Sequence, residues 1–219
     1  MRHATESRGT DVVVKLLYPG SNELLILQHL HSIKSPYNHT IPLINAFELN
    51  VGTFIILPEA TPLDLGFALG IHSKAVDFSR QLIDGVAFLH RYNIAHLDLK
   101  PQNIVTLQDR LLLIDFDISV FVDGPGALMD RWCGTPEWMA PEIGHGPYSP
   151  IRADLWSCGL VLRYIAGKGA TNSFAKLTDE LSNRNPQLRP LLYLGDGGSN
   201  RKSGSLSHVA KRPIKVPHY

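Results

Sequence analysis

Apolar residues in the N-terminal part of the chain fall into short runs that predict a small sheet with one helix. The run at 11–17 is rich in β-branched residues and predicts a strand. Residues 41–48 and 53–57 predict two more strands, joined by a turn at 50–52. Apolar residues recur at helical spacing over 22–31 and predict a short helix between these strands.

Apolar residues in the C-terminal part follow helical spacing instead. The clearest amphipathic pattern covers 73–92, with apolar positions at Val76, Leu82, Ile83, Val86 and Leu89. A second, more apolar helix is predicted to begin at Asp154 and to end near Ala166, and a third is predicted over 173–183. This part of the chain is therefore expected to be mainly helical.

Two apolar stretches around a polar turn predict a hairpin between these parts. Residues 104–105 precede a turn at 108–110, and the apolar run 111–114 follows it. A hairpin brings its two ends together, so we expect Asn103 and Asp115 to lie close in space.

The residues at the ends of this hairpin carry a specific set of chemical groups. Asn103 and Asp115 offer oxygen ligands, which suit a magnesium ion that holds phosphates. Asp98 has the reach to orient a hydroxyl, and Lys100 can meet a phosphate. An acceptor, a cation and two metal ligands form the set that phosphoryl transfer requires.

Three motifs in order carry a resemblance to a known family. The segment HLDLKPQN at His96–Asn103 resembles the catalytic loop of eukaryotic protein kinases. The tripeptide Asp115–Asp117 resembles their magnesium-binding tripeptide, and Ala140–Glu142 resembles the end of their activation segment. The resemblance implies ATP and magnesium as cofactors and a protein substrate. It implies that Asp98 orients the attacking hydroxyl and receives its proton, and that Lys100 steadies the γ-phosphate.

The resemblance assigns roles to further residues along the chain. Lys15 and Glu23 correspond to the lysine and helix glutamate that hold the nucleotide phosphates, while Asn103 and Asp115 bind the metal. The adenine would meet the backbone at a hinge formed by Pro58, Glu59 and Ala60, and Leu57 would guard the pocket behind it. Thr135 corresponds to a substrate-binding threonine and favours serine or threonine substrates. Structural roles are implied for His96, Phe116, Glu142, Asp154 and Arg189, with Arg189 paired to Glu142.

Each of these residue types also has an ordinary structural explanation. Lys15 is alternatively a surface lysine, and Glu23 a carboxylate favoured by the helix dipole. The hinge is alternatively a plain exit from a strand, and Asp154 a carboxylate at a helix N-terminus.

The expected fold class is α+β, a two-lobed protein-kinase-like fold with a truncated N-terminal sheet lobe and a mainly helical C-terminal lobe. The expected domains are a disordered N-terminus at 1–10, a small lobe at 11–60, a large lobe at 61–190 and a basic disordered tail at 191–219.

The chain departs from the family pattern at three places. No glycine-rich loop precedes Lys15, and Asp117 replaces the usual glycine of the tripeptide. Only a short link separates the helix that ends near Ala166 from the helix at 173–183, where the family has a further helix and loop. Leu97 in place of an arginine is a milder change. Two functions therefore stay open at this point: an ATP-dependent serine/threonine protein kinase of reduced size, or a catalytically impaired pseudokinase that acts as a protein-binding scaffold.

Composition limits the class of protein and its cellular location but does not change the two predicted functions. The 219 residues are 44% hydrophobic and 19% charged, which is typical of a globular protein. A net charge of +1 gives no indication of nucleic-acid binding, and no apolar run has the length of a membrane span. The two cysteines match no zinc or redox spacing and predict an intracellular protein, cytoplasmic or nuclear. The oligomeric state is not indicated by the sequence.

Overall fold

The computed structural model describes residues 2–5, 11–63, 74–167 and 172–194, with only the backbone described at 2–5 and 172–174. A four-stranded antiparallel sheet opens the chain, in the order β1-β2-β4-β3. Its strands are β1 (Arg2–Thr5), β2 (Asp11–Leu16), β3 (Asn45–Leu49) and β4 (Gly52–Pro58). One helix, α1 (Glu23–His31), follows β2 and buries Ile26, Leu27 and Leu30.

Two predictions for this part were wrong in their bounds. Residues 2–5 were expected to be disordered, but they form β1 and pair with β2 from Arg2 opposite Val14 to Thr5 opposite Asp11. The pairing uses backbone groups, which a polar sequence does not reveal. The strand expected from residue 41 begins at Asn45.

The rest of the described chain is mainly helical, with short strands around the motifs. The strands are β5 (Thr61–Pro62), β6 (Ile94–Ala95), β7 (Ile104–Leu107), β8 (Arg110–Leu113) and β9 (Val120–Phe121). The helices are α2 (Ala75–Arg91), α3 (Pro150–Ala166) and α4 (Asn172–Leu181), with single 3-10 turns at Pro101–Asn103 and Pro186–Leu188. The sheet-bearing part followed by a helical part agrees with the predicted α+β class. Among the described residues, no helix is both long and apolar enough to span a membrane.

The helix predicted from Asp154 begins four residues earlier. The Ser149 side chain accepts a hydrogen bond from the Arg152 amide at 3.4 Å, and Pro150 occupies the first helical position. A serine N-cap followed by proline is a favoured helix start. The Ser149–Pro150 pair therefore marks the start of the helix, which the spacing of apolar residues alone does not indicate.

The predicted start of the tail at residue 191 was also wrong. Leu192 is buried in the main core, and Leu191 and Leu194 pack against that core. The three leucines flank Tyr193, and burying them holds the segment against the core. Residues 195–219 lie outside the described residues, and the lobe boundary expected at residue 60 stays a prediction.

A short segment before β3 joins the sheet-bearing part to the hairpin. The Leu113 amide donates to the His39 carbonyl at 2.7 Å, and the Ile41 amide donates to the Leu113 carbonyl at 3.0 Å. His39 also lies against Gly85 in the middle of α2, where a Cβ atom would come within 2.8 Å of the His39 Cβ. The close approach of these two backbones requires glycine in the helix.

Replacing Gly85 with alanine should destabilise the protein, although alanine is the better helix former. The gain in helix propensity is about 1 kcal/mol, whereas overpacking a core contact costs about 1–3 kcal/mol. Thermal unfolding of Gly85→Ala should show a lower Tm, and Gly126→Ala, where an added Cβ meets no atom within 4 Å, serves as the control. A Tm above that of the unchanged protein would contradict the close contact.

Candidate active site

The loop that carries Asp98 is held from below by a buried carboxylate. Asp154 is 0% exposed and accepts hydrogen bonds from the backbone amides of His96 and Leu97, both at 2.7 Å. Its Oδ2 also contacts His90 Nε2 at 3.1 Å. Because α3 begins at Pro150, Asp154 lies beyond the first helical turn, and the alternative of a helix N-terminal carboxylate does not fit. Its carboxylate instead satisfies the backbone amides of the loop, in which Leu97 has a positive φ of 67°.

His96 lies in the core rather than among the reacting groups. Its ring contacts Phe116 with centroids 4.9 Å apart, and its Nε2 donates to the Ile114 carbonyl at 3.1 Å. Its Nδ1 accepts from the Asp98 amide at 3.3 Å. Burial lowers the pKa of His96, so the ring is neutral and carries its proton on Nε2. Its contacts therefore join the Asp98 loop to the segment that follows the hairpin.

Asp98, Lys100 and Thr135 form a closed triangle of hydrogen bonds. Lys100 Nζ donates to Asp98 Oδ2 at 2.7 Å and to Thr135 Oγ1 at 2.8 Å. The Thr135 hydroxyl donates to Asp98 Oδ1 at 2.7 Å. The structure thus brings the predicted hydroxyl-orienting residue, phosphate-binding residue and substrate-binding residue together at one place.

Asn103 completes this group and links it to the hairpin. Its side-chain amide donates to the Asp98 carbonyl and to Asp98 Oδ2, both at 2.9 Å, which leaves the amide oxygen as an acceptor. The Asn103 carbonyl accepts from the Ile114 amide at 3.0 Å, so the hairpin does bring Asn103 next to the residue that precedes Asp115. The metal-binding roles of Asn103 and Asp115 stay predictions.

The second group of charged residues surrounds Lys15. Its ammonium nitrogen lies 2.6 Å from Glu23 Oε2, 2.6 Å from Asp115 Oδ1 and 3.0 Å from Asp117 Oδ2. Lys15 is only 8% exposed, which excludes the alternative of a surface lysine. Glu23 is fully buried, and its Oε1 has no hydrogen-bond partner among the described residues. Ligand oxygens of Glu23, Asp115 and Asp117 lie within 4.8 Å of one another, a spacing that a metal ion can bridge.

Burial and charge shift the pKa of each member of this group. Burial alone would lower the pKa of Lys15, but the Glu23 charge and hydrogen bonds to Asp115 and Glu23 raise it. Burial raises the pKa of Glu23 to about 7 despite the lysine, because the nearby Asp117 also favours the protonated form. Burial would raise the pKa of Asp117, but its contacts with Lys15, the neighbouring Glu23 and the Ser21 hydroxyl lower it. Asp117 is therefore ionised beside Lys15, whereas Glu23 is only partly ionised near neutral pH.

The predicted hinge follows β4 directly. Leu57 is buried at the end of that strand, and Glu59 is exposed. The Glu59 amide donates to the Asp11 carbonyl at 3.0 Å, and Pro58 has no amide proton. The Pro58 nitrogen and the Glu59 amide are therefore not donors for an adenine ring, which leaves the Ala60 amide as the candidate donor in the predicted hinge.

The two remaining predicted residues form a buried ion pair away from the reacting groups. Arg189 Nη1 and Nη2 donate to the two Glu142 carboxylate oxygens at 2.6 and 2.8 Å. Arg189 is 1% exposed, and its guanidinium lies 5.2 Å from the centre of the Trp156 ring. This geometry fixes the end of the segment that carries Thr135 to the body of the helical part.

Sequence reasoning missed one part of the site, the contact between Ser21 and Asp117. Ser21 Oγ donates to Asp117 Oδ1 at 2.8 Å across 96 residues of sequence. The only available signal was the unusual Asp117 itself, because nothing local to Ser21 indicates a distant partner.

Comparisons with known proteins agree with the motifs. The sequence profile of the protein kinase domain family matches residues 22–190. The chain is 40% identical over 122 residues to the serine/threonine-protein kinase atg1 of Dictyostelium discoideum, a match that covers 52% of this chain and 18% of that protein. It is 44% identical over 116 residues to CBL-interacting protein kinase 8 of Oryza sativa subsp. japonica, covering 50% of this chain and 26% of that protein.

A further relative extends the similarity over more of the chain. The serine/threonine-protein kinase GIN4 of Saccharomyces cerevisiae is 31% identical over 155 residues, covering 67% of this chain and 13% of that protein. The chain thus spans between 13% and 26% of the length of these three relatives.

The raised pKa of Glu23 predicts a pH dependence of stability. The folded protein binds this proton up to about pH 7, compared with 4.5 for an ordinary glutamate. The resulting stabilisation is fully present below pH 4.5 and is lost as the pH rises through about 7. Glu23→Gln does not titrate, so the stability of the unchanged protein relative to this variant should fall between about pH 5 and about pH 8 in urea unfolding. A difference that grows with pH would contradict the raised pKa.

Proposed function

The chain belongs to the protein kinase domain family, and on that premise we propose that its site transfers the γ-phosphoryl group of ATP to a serine or threonine hydroxyl of a protein substrate. The observation that carries the proposal is the Asp98–Lys100–Thr135 triangle beside Asn103. An acceptor, a cation and a hydroxyl at hydrogen-bonding distance are the groups needed to orient a substrate hydroxyl and steady a phosphate.

Asp98 is the group proposed to receive the proton. The substrate hydroxyl oxygen bonds to the γ-phosphorus as the bond from phosphorus to the bridging oxygen breaks, and the hydroxyl proton passes to Asp98. Thr135, Lys100 and Asn103 all donate to Asp98, which fixes its carboxylate in one orientation. Lys100 donates to both Asp98 and Thr135, so its charge lies where a transferring phosphoryl group would add negative charge.

The donor set fits a magnesium-bound nucleotide. The Asn103 amide oxygen and the Asp115 carboxylate are the hard oxygen ligands that magnesium prefers, and Asp117 adds another oxygen close to Asp115. Bound magnesium-ATP would supply the phosphoryl group together with the positive charge that neutralises it. Lys15 would hold the phosphates, and the backbone at Ala60 would hold the adenine.

The scaffold alternative differs in what it predicts for these side chains. A kinase-like fold without catalysis has no need to place an acceptor, a phosphate-binding lysine and metal ligands together. Asp98, Lys100, Asn103 and Asp115 are all present, and the hydrogen bonds of Asp98 hold the first three of them as one group. This arrangement favours the enzyme, and the transfer assay below separates the two functions.

The setting of this activity is also proposed. The proposed substrate is a protein. The proposed location is intracellular, cytoplasmic or nuclear, which fits a chain whose two cysteines are both free and buried. Burial raises the pKa of the Cys158 thiol, which keeps it protonated and unreactive.

Replacing Asp98 with asparagine should abolish most transfer while leaving ATP binding nearly intact. The amide cannot accept the hydroxyl proton, and loss of a general base lowers kcat by about 10²–10⁴-fold. A radiolabelled phosphoryl-transfer assay measures kcat, and calorimetry measures ATP affinity. Asp123→Asn, a change of the same kind at an exposed position on the following segment, is the control. Transfer by Asp98→Asn at the unchanged rate would reject the proposed role.

Replacing Asp115 with asparagine should weaken the magnesium-dependent part of ATP binding. One negative ligand is lost, and a charge-assisted contact corresponds to about 1.5–3 kcal/mol, or tenfold or more in affinity. Titrations with and without magnesium isolate this part for the variant and for the unchanged protein. An identical gain in affinity on adding magnesium in both proteins would show that Asp115 is not a metal ligand.

A further inference from the structure

We propose that Asp117 is a positioning residue that latches the start of α1 and Lys15 to the magnesium tripeptide. The proposal rests on the proposed function for its consequences in catalysis, but the latch itself does not depend on catalysis. Asp117 uses both carboxylate oxygens, one for the helix and one for the lysine. It stands where the family has a glycine, which has no side chain to make either contact.

One arm of the latch reaches the first turn of α1 through Ser21. Asp117 Oδ1 accepts from the Ser21 hydroxyl at 2.8 Å, and the same hydroxyl oxygen accepts from the Glu23 amide at 3.1 Å. Asn22, the residue before the helix, makes no side-chain capping bond and instead donates to the Ser119 carbonyl at 3.2 Å. Asp117 and Ser119 therefore hold the start of α1, where a negative charge also meets the positive end of the helix dipole.

The other arm of the latch occupies the third proton of Lys15. An ammonium group has three donors, and Glu23, Asp115 and Asp117 lie at hydrogen-bonding distance from it. A phosphate oxygen can bind Lys15 only by replacing one of these carboxylates. Asp117 is the farthest of the three at 3.0 Å, so its contact is the one that phosphate would displace. Asp117 thus holds the lysine in position before binding and competes with phosphate during binding.

The two arms predict different behaviour for asparagine and alanine at position 117. Asparagine keeps a side-chain oxygen that can accept from Ser21 but removes the charge that competes for Lys15. Alanine removes both contacts. If Asp117 contributed only by packing, each substitution would reduce function in proportion to the side-chain volume removed. Helix protection and phosphate affinity would then change together.

Amide hydrogen exchange of the full chain without magnesium or nucleotide tests the helix arm. Ser21→Ala and Asp117→Ala should each speed exchange in the first turns of α1 by about tenfold, the scale of one hydrogen bond to a charged group. The double variant should speed exchange by less than the product of the two single effects, because both changes remove the bond between Ser21 and Asp117. Amides in α2 should keep their rates, which separates local opening from loss of stability. Unchanged exchange in α1, or effects that multiply in the double variant, would overturn the latch.

Nucleotide binding tests the lysine arm. Asp117→Asn should keep the α1 exchange rates of the unchanged protein and should bind ATP about tenfold more tightly without magnesium, because one competing charge is gone. In the transfer assay, Asp117→Ala should lower kcat more than Asp117→Asn does, because only asparagine can still accept from Ser21. Exchange in Asp117→Asn as fast as in Asp117→Ala, or weaker ATP binding, would overturn the proposal. If the unchanged protein transferred no phosphate, the proposed function would fail, while exchange and binding would still decide the latch. Asp123→Asn again serves as the matched control.

Discussion

The geometry of the site depends on the ion pairs that the Lys15 ammonium group makes with three carboxylates. Three parts of the chain that are far apart in sequence meet at this one nitrogen: β2, the start of α1 and the segment after the hairpin. Buried carboxylates repel each other unless a cation separates them. Without Lys15, the carboxylates of Glu23, Asp115 and Asp117 would repel each other at this spacing, and β2 would lose its ion pairs with the tripeptide.

Asp154 and the Arg189–Glu142 pair, in the helical part, hold the segments that carry the reacting residues. Asp154 holds the loop of Asp98 by two backbone amides, and the Arg189–Glu142 pair anchors the segment that carries Thr135. Removing one partner of such a pair leaves an unpaired buried charge, which costs about 3–5 kcal/mol. The position of Asp98 therefore depends on Asp154, and the position of Thr135 depends on the Arg189–Glu142 pair.

Local sequence patterns located most elements and most members of the site. The amphipathic helix expected at 73–92 is α2, and the hairpin expected after Asn103 is β7 and β8. Errors arose where packing or backbone pairing overrides composition. Arg2–Thr5 forms a strand because an edge of β2 is available to it, and Leu192 is held by the core although the chain around it looks like a tail. His39 packs against Gly85 in the middle of α2, a contact that helical spacing does not indicate.

The sequence by itself determined which chemical groups are present and roughly which elements carry them. Asp98, Lys100 and Asn103 are so close along the chain that a single tight loop brings them together, and a hairpin adds Asp115. Only the tertiary structure decided the partners of Lys15 and the contact of Ser21 with Asp117, which joins residues 96 positions apart. The physical reason is that periodicity reports which face of an element is buried, whereas a long-range hydrogen bond depends on how separate elements pack against each other.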